Sequence, residues 1–179
     1  MKLPLPRIKE LIAADGGECT YDEIAQGYSI DSRTVQPGEV FFAVKGERLD
    51  GHDYVEQAIE KGALTAVIRK DQVERFNNPC LFAVDDTLVA LQTLATGVRW
   101  LWGKPAIGIT GSVGKTTTKD ALAHLMAAKY VVHSSKGNFN NQFGLPLSLN
   151  KLSPGQAADH KWWPRVKEEA HTSSRLLAS

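Results

Sequence analysis

The stretch Gly108-Ile-Thr-Gly-Ser-Val-Gly-Lys-Thr-Thr-Thr-Lys-Asp120 constrains this chain more than any other. A short apolar run, Ala106-Ile-Gly-Ile-Thr110, leads into a glycine-rich turn, a lysine, three threonines and a helix-forming segment. Strand, loop and helix in that order make a phosphate cradle. Backbone N–H groups at a helix N-terminus point at an anion, and the helix dipole adds about 0.3–1 kcal/mol. Gly111 and Gly114 allow phosphate oxygens to approach the backbone without a Cβ in the way. Lys115 is the candidate catalytic residue, reaching the β- and γ-phosphates, and the Thr116 hydroxyl is the candidate ligand for Mg²⁺. Thr110, Ser112 and Thr117 complete the loop's polar lining. The strict spacing G-x-x-x-x-G-K-[ST] asks for glycine at position 109, where this chain has Ile109, so the first glycine has moved to Gly111. The cofactors expected from the loop are ATP and Mg²⁺.

The rest of the chain reads as alternating helices and strands, which is the pattern of a layered α/β fold. Ile8, Leu11 and Ile12 share a helical face, and Asp15-Gly-Gly17 ends that helix. Tyr28-Ser-Ile-Asp-Ser32 is a strand entering a polar turn, Val35-Gln-Pro-Gly38 a turn, and Val40-Phe-Phe-Ala-Val44 a buried strand. Asp53 is placed to cap a helix through Lys61 that Gly62 stops. Leu64-Thr-Ala-Val-Ile68 and Cys80-Leu-Phe-Ala-Val84 are further strands, with a short helix over 72–76 between them. Thr87 caps a longer helix to about Trp100. Trp102-Gly-Lys-Pro105 reads as a linker, with Trp100 and Trp102 packing the domain junction. Beyond it come the strand 106–110, a helix from Lys115 to about Ala128, and a strand at Tyr130-Val-Val-His133.

Composition narrows the partners. With 42% apolar and 23% charged residues in 179, a sizeable core can be buried. A net charge of +1 gives no basic stripe for a nucleic-acid backbone. No apolar run approaches the roughly 20 residues of a membrane span. Charges interrupt the first ten residues where a signal peptide needs apolar ones. Cys19 and Cys80 lack metal spacing and read as small buried residues. A soluble, cytoplasmic monomer without nucleic-acid partners is the expectation.

The variant spacing T-G-S-x-G-K-T-T-T-K at 110–119 resembles that of the Mur ligases of bacterial cell-wall synthesis. Gly137-Asn-Phe-Asn-Asn-Gln-Phe-Gly-Leu-Pro146 is similar to an element of the MurF type, which adds D-alanyl-D-alanine. Upstream, Ile30-Asp-Ser-Arg33, Pro37-Gly38, Phe41-Phe-Ala43, Lys45-Gly46 and Asp50-Gly-His52 resemble the N-terminal substrate domain of the MurE and MurF types. The likeness runs in order from residue 1 to about 152. It implies a UDP-sugar-peptide-binding domain over 1–103, followed by the beginning of a P-loop α/β central domain over 104–152.

The resemblance further implies a chemistry. A carboxylate of UDP-N-acetylmuramoyl-tripeptide is phosphorylated from ATP, and the amine of D-alanyl-D-alanine attacks the acyl phosphate. Phosphoryl transfer of this kind needs positioning and charge neutralisation above all. Lys115 and Thr116 carry the ATP and Mg²⁺ roles by motif, and Asn138 and Asn141 line the same cleft. The other reading of the two asparagines is a turn that holds backbone geometry. Ser32 and Arg33 are implied contacts of the UDP-sugar, with Arg33 offering a planar fork to diphosphate or carbonyl oxygens. Gly46, Asp50 and His52 are implied substrate contacts as well. Against these stand a plain turn with a surface ion pair at 31–33, and a helix-start turn at 50–52 with Asp53 as cap and His52 exposed.

After Leu152 the family pattern stops. The expected apolar strand ending in a metal-binding glutamate does not follow; the chain reads Ser153-Pro-Gly-Gln-Ala-Ala-Asp-His-Lys-Trp-Trp-Pro164 instead. Residues 153–179 are therefore expected to be an atypical, out-of-frame or disordered tail, and the whole an incomplete, inactive ligase. A non-catalytic UDP-sugar-binding module and an unrelated P-loop NTPase are the alternatives.

Overall fold

The computed structural model describes residues 1–17, 23–135, 143–150 and 152. In chain order the elements are β1 (Leu3–Pro4), α1 (Leu5–Leu11), β2 (Asp15–Gly16), β3 (Ile24–Ala25), β4 (Gly27–Ser29) and β5 (Glu39–Phe42). There follow α2 (Val55–Glu60), β6 (Thr65–Arg69), β7 (Leu81–Val84), α3 (Thr87–Trp102), α4 (Lys115–Ala127) and α5 (Gly144–Asn150). Short 3₁₀ turns at Gly51–Tyr54 and Lys70–Arg75 lead into α2 and out of β6.

The main sheet has the order β2-β7-β6-β5-β4. Strands β4 to β7 are parallel, with Tyr28 opposite Val40, Phe41 opposite Ala66, and Val67 opposite Phe82. β2 closes the far edge antiparallel to β7, and β1 pairs with β3 in a small separate ribbon. Side chains alternate across a strand, so apolar runs supply two faces at once. Val40, Phe42, Val67, Phe82 and Val84 face one core with Leu5, Ile8, Leu91, Leu94 and Val98. Phe41, Ala43, Ala66, Ile68 and Leu81 face the other core with Val55 and Ala58 of α2. This is the α/β architecture with a parallel sheet that the alternating pattern implied.

α3 shows why the longest helix forms where it does. Its buried residues Ala90, Leu91, Leu94, Ala95 and Val98 recur as one apolar stripe. Full burial of each large member is worth about 1.5–3 kcal/mol. The cap is Asp86, whose carboxylate accepts the Leu88 and Val89 amides at 2.8 and 3.0 Å. Thr87, expected to be the cap, is instead buried and donates its hydroxyl to the Ala43 carbonyl at 3.0 Å. The helix ends at Gly103 in the left-handed conformation.

Beyond residue 103 the structure departs from several expectations. The apolar segment 106–110 forms no strand, and Ile107 is exposed. Residues 131–133 form none either, with Val131 and Val132 exposed. A parallel strand exists only by pairing, and neither segment has a strand neighbour among the described residues. Trp100 is exposed, against the expected junction packing, whereas Trp102 packs on the first core and stacks against Arg99. α5 packs against α3 and β4, and Leu147, Leu149 and Leu152 join the first core. Cys80 is disulfide-bonded rather than a free buried thiol. Cys19 and the tail 153–179 lie outside the described residues.

Candidate functional site

Two places carry the predicted site residues. The first is the C-terminal edge of the parallel strands, where α/β sheets form their ligand crevices. The segment after β4 holds Ser32 and Arg33, and the segment after β5 holds Gly46, Asp50 and His52.

After β4 the chain closes a tight turn. The Asp31 carbonyl accepts the amides of Thr34 and Val35, both at 3.1 Å. The Asp31 carboxylate accepts the Arg33 amide at 2.9 Å and grips the guanidinium through Nε at 2.9 Å and Nη2 at 2.7 Å. These side-chain bonds from Arg33, reinforced by its amide, pull the Asp31 carboxyl down to about 2. The Arg33 side chain is 82% exposed, so Asp31 orients it at the surface and leaves its remaining donors for a ligand. Ser32 is buried, and its hydroxyl donates to Gln57 Oε1 at 2.7 Å. Its hydroxyl is therefore engaged inside the protein, while Arg33 alone of the pair faces outward.

The segment after β5 is pinned at several points. The Gly46 amide donates to the Leu49 carbonyl at 2.9 Å and the Gly51 amide to the Val44 carbonyl at 3.0 Å. Only glycine fits at 51, since a Cβ there would lie 2.7 Å from both the nitrogen and the oxygen of Val44. Asp50, not Asp53, caps the following turn, accepting the His52 amide at 3.0 Å. His52 is buried, not exposed. Its Nδ1 lies 2.6 Å from Asp50 Oδ1, and its Nε2 accepts the Arg69 amide at 3.0 Å. Burial pushes the Asp50 carboxyl up, but the bonds from His52 outweigh it and hold the group below its ordinary value. Both ring nitrogens of His52 are thus engaged, one on the loop and one on β6. Gly46 remains exposed at the loop's outer end. Sequence reasoning missed Gln57, Lys61 and Thr87, which hold these loops from outside; only helical spacing linked the first two.

The second place is the glycine-rich loop expected to cradle phosphate. Gly114 takes the left-handed conformation as the N-cap of α4, and the Thr118 amide donates to its carbonyl at 2.9 Å. The loop is therefore a formed helix N-terminus. A Cβ at Gly114 would meet no protein atom within 4 Å, so the space beside the cap is open. Lys115 folds back to donate to the Gly111 carbonyl. Thr110, Gly111, Ser112, Thr116 and Thr117 are exposed around it. An exposed cap, a lysine and hydroxyls suit a phosphate chain with a divalent cation. Asn138 and Asn141 lie outside the described residues.

Comparison with known proteins matches the chain in two consecutive segments. The family model "Mur ligase family, catalytic domain" matches residues 25–101, and "Mur ligase middle domain" matches residues 109–159. The second match continues past Leu152, the point at which the family pattern is expected to stop. The UDP-N-acetylmuramoyl-tripeptide–D-alanyl-D-alanine ligase of Bacillus subtilis is 38% identical over 150 residues, covering 83% of this chain and 33% of that protein. A MurF crystal structure from Acinetobacter baumannii superposes with a TM-score of 0.76 at 27% identity, over 86% of this chain and 34% of that one. The MurF ligase of Thermotoga maritima in complex with ADP gives 0.64 at 36% identity, over 72% and 30%. The chain spans about a third of the length of the curated relatives it matches. No helix among the described residues is long and apolar enough to cross a membrane. With two family models matched in order along one chain, this protein belongs to the Mur ligase family.

Proposed function

We propose that the chain supplies the substrate-binding domain and phosphate loop of an ATP-dependent ligase that joins D-alanyl-D-alanine to UDP-N-acetylmuramoyl-tripeptide. One observation carries this reading furthest. The outward Arg33, held by Asp31, stands at the C-terminal edge of the parallel sheet, and a formed phosphate loop with Lys115 follows on the same chain. Arg33 and Gly46 meet the UDP-sugar, and Ser32, Asp50 and His52 shape the loops that present them. Gly111, Gly114, Lys115 and Thr116 would hold the nucleotide phosphates, with the Thr116 hydroxyl as the ligand for Mg²⁺; the cleft role for Asn138 and Asn141 rests on the family resemblance alone. ATP, bound with Mg²⁺, supplies the phosphoryl group that activates the carboxylate. The unit of function is residues 1–103 for substrate and 104–152 for nucleotide, acting as a cytoplasmic monomer.

A second reading has its own support. α4 buries no residue among the described ones, whereas residues 1–103 supply all of the second core and, apart from Leu152 and the packed Leu147 and Leu149, all of the first. The chain then acts as a UDP-sugar-binding module without turnover. Family membership sets aside the unrelated NTPase. Separate titrations of UDP-N-acetylmuramoyl-tripeptide and ATP decide between the two readings. Binding of both supports the ligase reading, sugar-nucleotide binding alone supports the module, and neither binding overturns both.

A further inference from the structure

α2 and its C-cap present two side chains to the turn that carries Arg33. Gln57 lies within α2 and Lys61 caps its C-terminus four residues on, so both project to the same side. Gln57 Oε1 accepts the Ser32 hydroxyl at 2.7 Å. Lys61 Nζ donates to the Ser32 carbonyl at 2.8 Å and to the Arg33 carbonyl at 3.2 Å. One ammonium thus bridges two consecutive carbonyls, and one amide holds the intervening hydroxyl. The turn's other bonds stay within the turn or reach its immediate chain neighbours: residues 33–35 donate back to Asp31, Asp31 exchanges bonds with the Ser29 hydroxyl, and Gln36 donates to the Thr34 carbonyl. Without α2 it would be tied to the protein only through its two chain ends and the buried Val35.

We infer that Lys61 and Gln57 are positioning residues for the diphosphate-sugar end of the substrate: they lock the Ser32–Arg33 backbone so that Arg33 meets its ligand already ordered. The inference rests on the substrate reading proposed above. The physical reason is that an exposed arginine on a loose turn loses backbone and side-chain freedom on binding, and a clamp made before binding removes that loss. Lysine suits the task because an ammonium has three donors and no acceptor, so it serves two carbonyls at once. Its charge also adds to the positive field at Arg33, where a diphosphate is attracted. Both residues are exposed and outside the cores, so replacing them removes the clamp without opening a cavity.

The test uses the full chain with UDP-N-acetylmuramoyl-tripeptide as the titrant, alongside amide hydrogen exchange of residues 33–35 without ligand. Lys61→Met keeps the aliphatic stem and loses the donors; Lys61→Arg restores donors to both carbonyls. The expected result is about tenfold weaker binding for Lys61→Met, recovery to within about threefold for Lys61→Arg, and faster exchange at 33–35 in Lys61→Met and Gln57→Ala. Melting temperatures should stay close to that of the unchanged chain. Wild-type affinity in Lys61→Met, or a loss that Lys61→Arg does not recover, overturns the inference. Failure of the unchanged chain to bind the titrant removes the substrate reading and this role with it. Unchanged exchange in Lys61→Met, with the ligand still bound by the unchanged chain, removes the clamp alone.

Discussion

His52 accepts the backbone N–H of Arg69 through Nε2 at 3.0 Å while its Nδ1 sits 2.6 Å from Asp50. A single buried ring therefore joins the loop after β5 to the end of β6. Replacing it with alanine leaves the Arg69 amide unpaired and a void among packed side chains. His52→Ala is expected to cost about 2–4 kcal/mol, seen as a lower urea midpoint with an unchanged slope. A midpoint equal to the parent's would show that the ring ties nothing together.

The Asp31–Arg33 pair makes the turn after β4 sensitive to acid. Arg33 depresses the Asp31 carboxyl to about 2 from an ordinary 3.8. A depressed carboxyl stabilises the fold above its unfolded value and loses that contribution as pH falls. The turn is thus expected to hold above about pH 4 and to loosen as pH falls through about 2. Carboxyl carbon shifts followed by NMR give the midpoint directly. Added salt should raise it toward the ordinary value, because the pair is exposed to solvent.

Gly51 is required by space. Gly51→Ala forces a Cβ to within 2.7 Å of the Val44 backbone, which the loop relieves only by moving. A loss of about 1–3 kcal/mol in thermal unfolding is expected. A neutral substitution would mean that the 43–52 loop shifts freely.

At the start of α3, Asp86 and Thr87 divide two tasks. Asp86→Ala removes the cap and should cost about 1 kcal/mol, whereas Asp86→Ser should recover most of it. Thr87→Val leaves the Ala43 carbonyl without its hydroxyl donor and should cost about 1–3 kcal/mol, although the helix remains capped. Denaturant unfolding of the three variants separates the tasks.

For the phosphate loop, Lys115→Ala in a full-length relative is expected to abolish ATP turnover and to leave UDP-substrate binding nearly intact. Unchanged ligase rates would remove Lys115 from the mechanism. In this chain, the same change should weaken ATP binding without altering the affinity for the sugar nucleotide, measured by calorimetry.

Much of the fold was legible because continuous apolar runs have few ways to be buried. Val40 to Ala43, Leu64 to Ile68 and Leu81 to Val84 each bury side chains on both faces of the sheet, so their strands were placed within a residue or two. The phosphate loop was legible for a related reason: glycines, lysine and threonines at fixed spacing define a helix N-terminus locally, and α4 begins at Lys115. The two-residue strands β1, β2 and β3 were not legible, since they carry no periodicity and exist only through their partners. The segment 106–110 failed in the opposite sense, having a strand's composition and no strand beside it among the described residues.

Sequence alone determined the layered α/β class, the family and the position of the glycine-rich loop that opens α4, because apolar runs and loop chemistry are local. Tertiary structure decided which polar residues face outward. Ser32 and His52 belong to motifs as prominent as that of Arg33, yet both are buried with their polar atoms engaged, and Arg33 alone is presented to solvent. That division depends on where Gln57, Lys61 and Arg69 arrive from 17 to 29 residues away, and no local pattern records such a meeting.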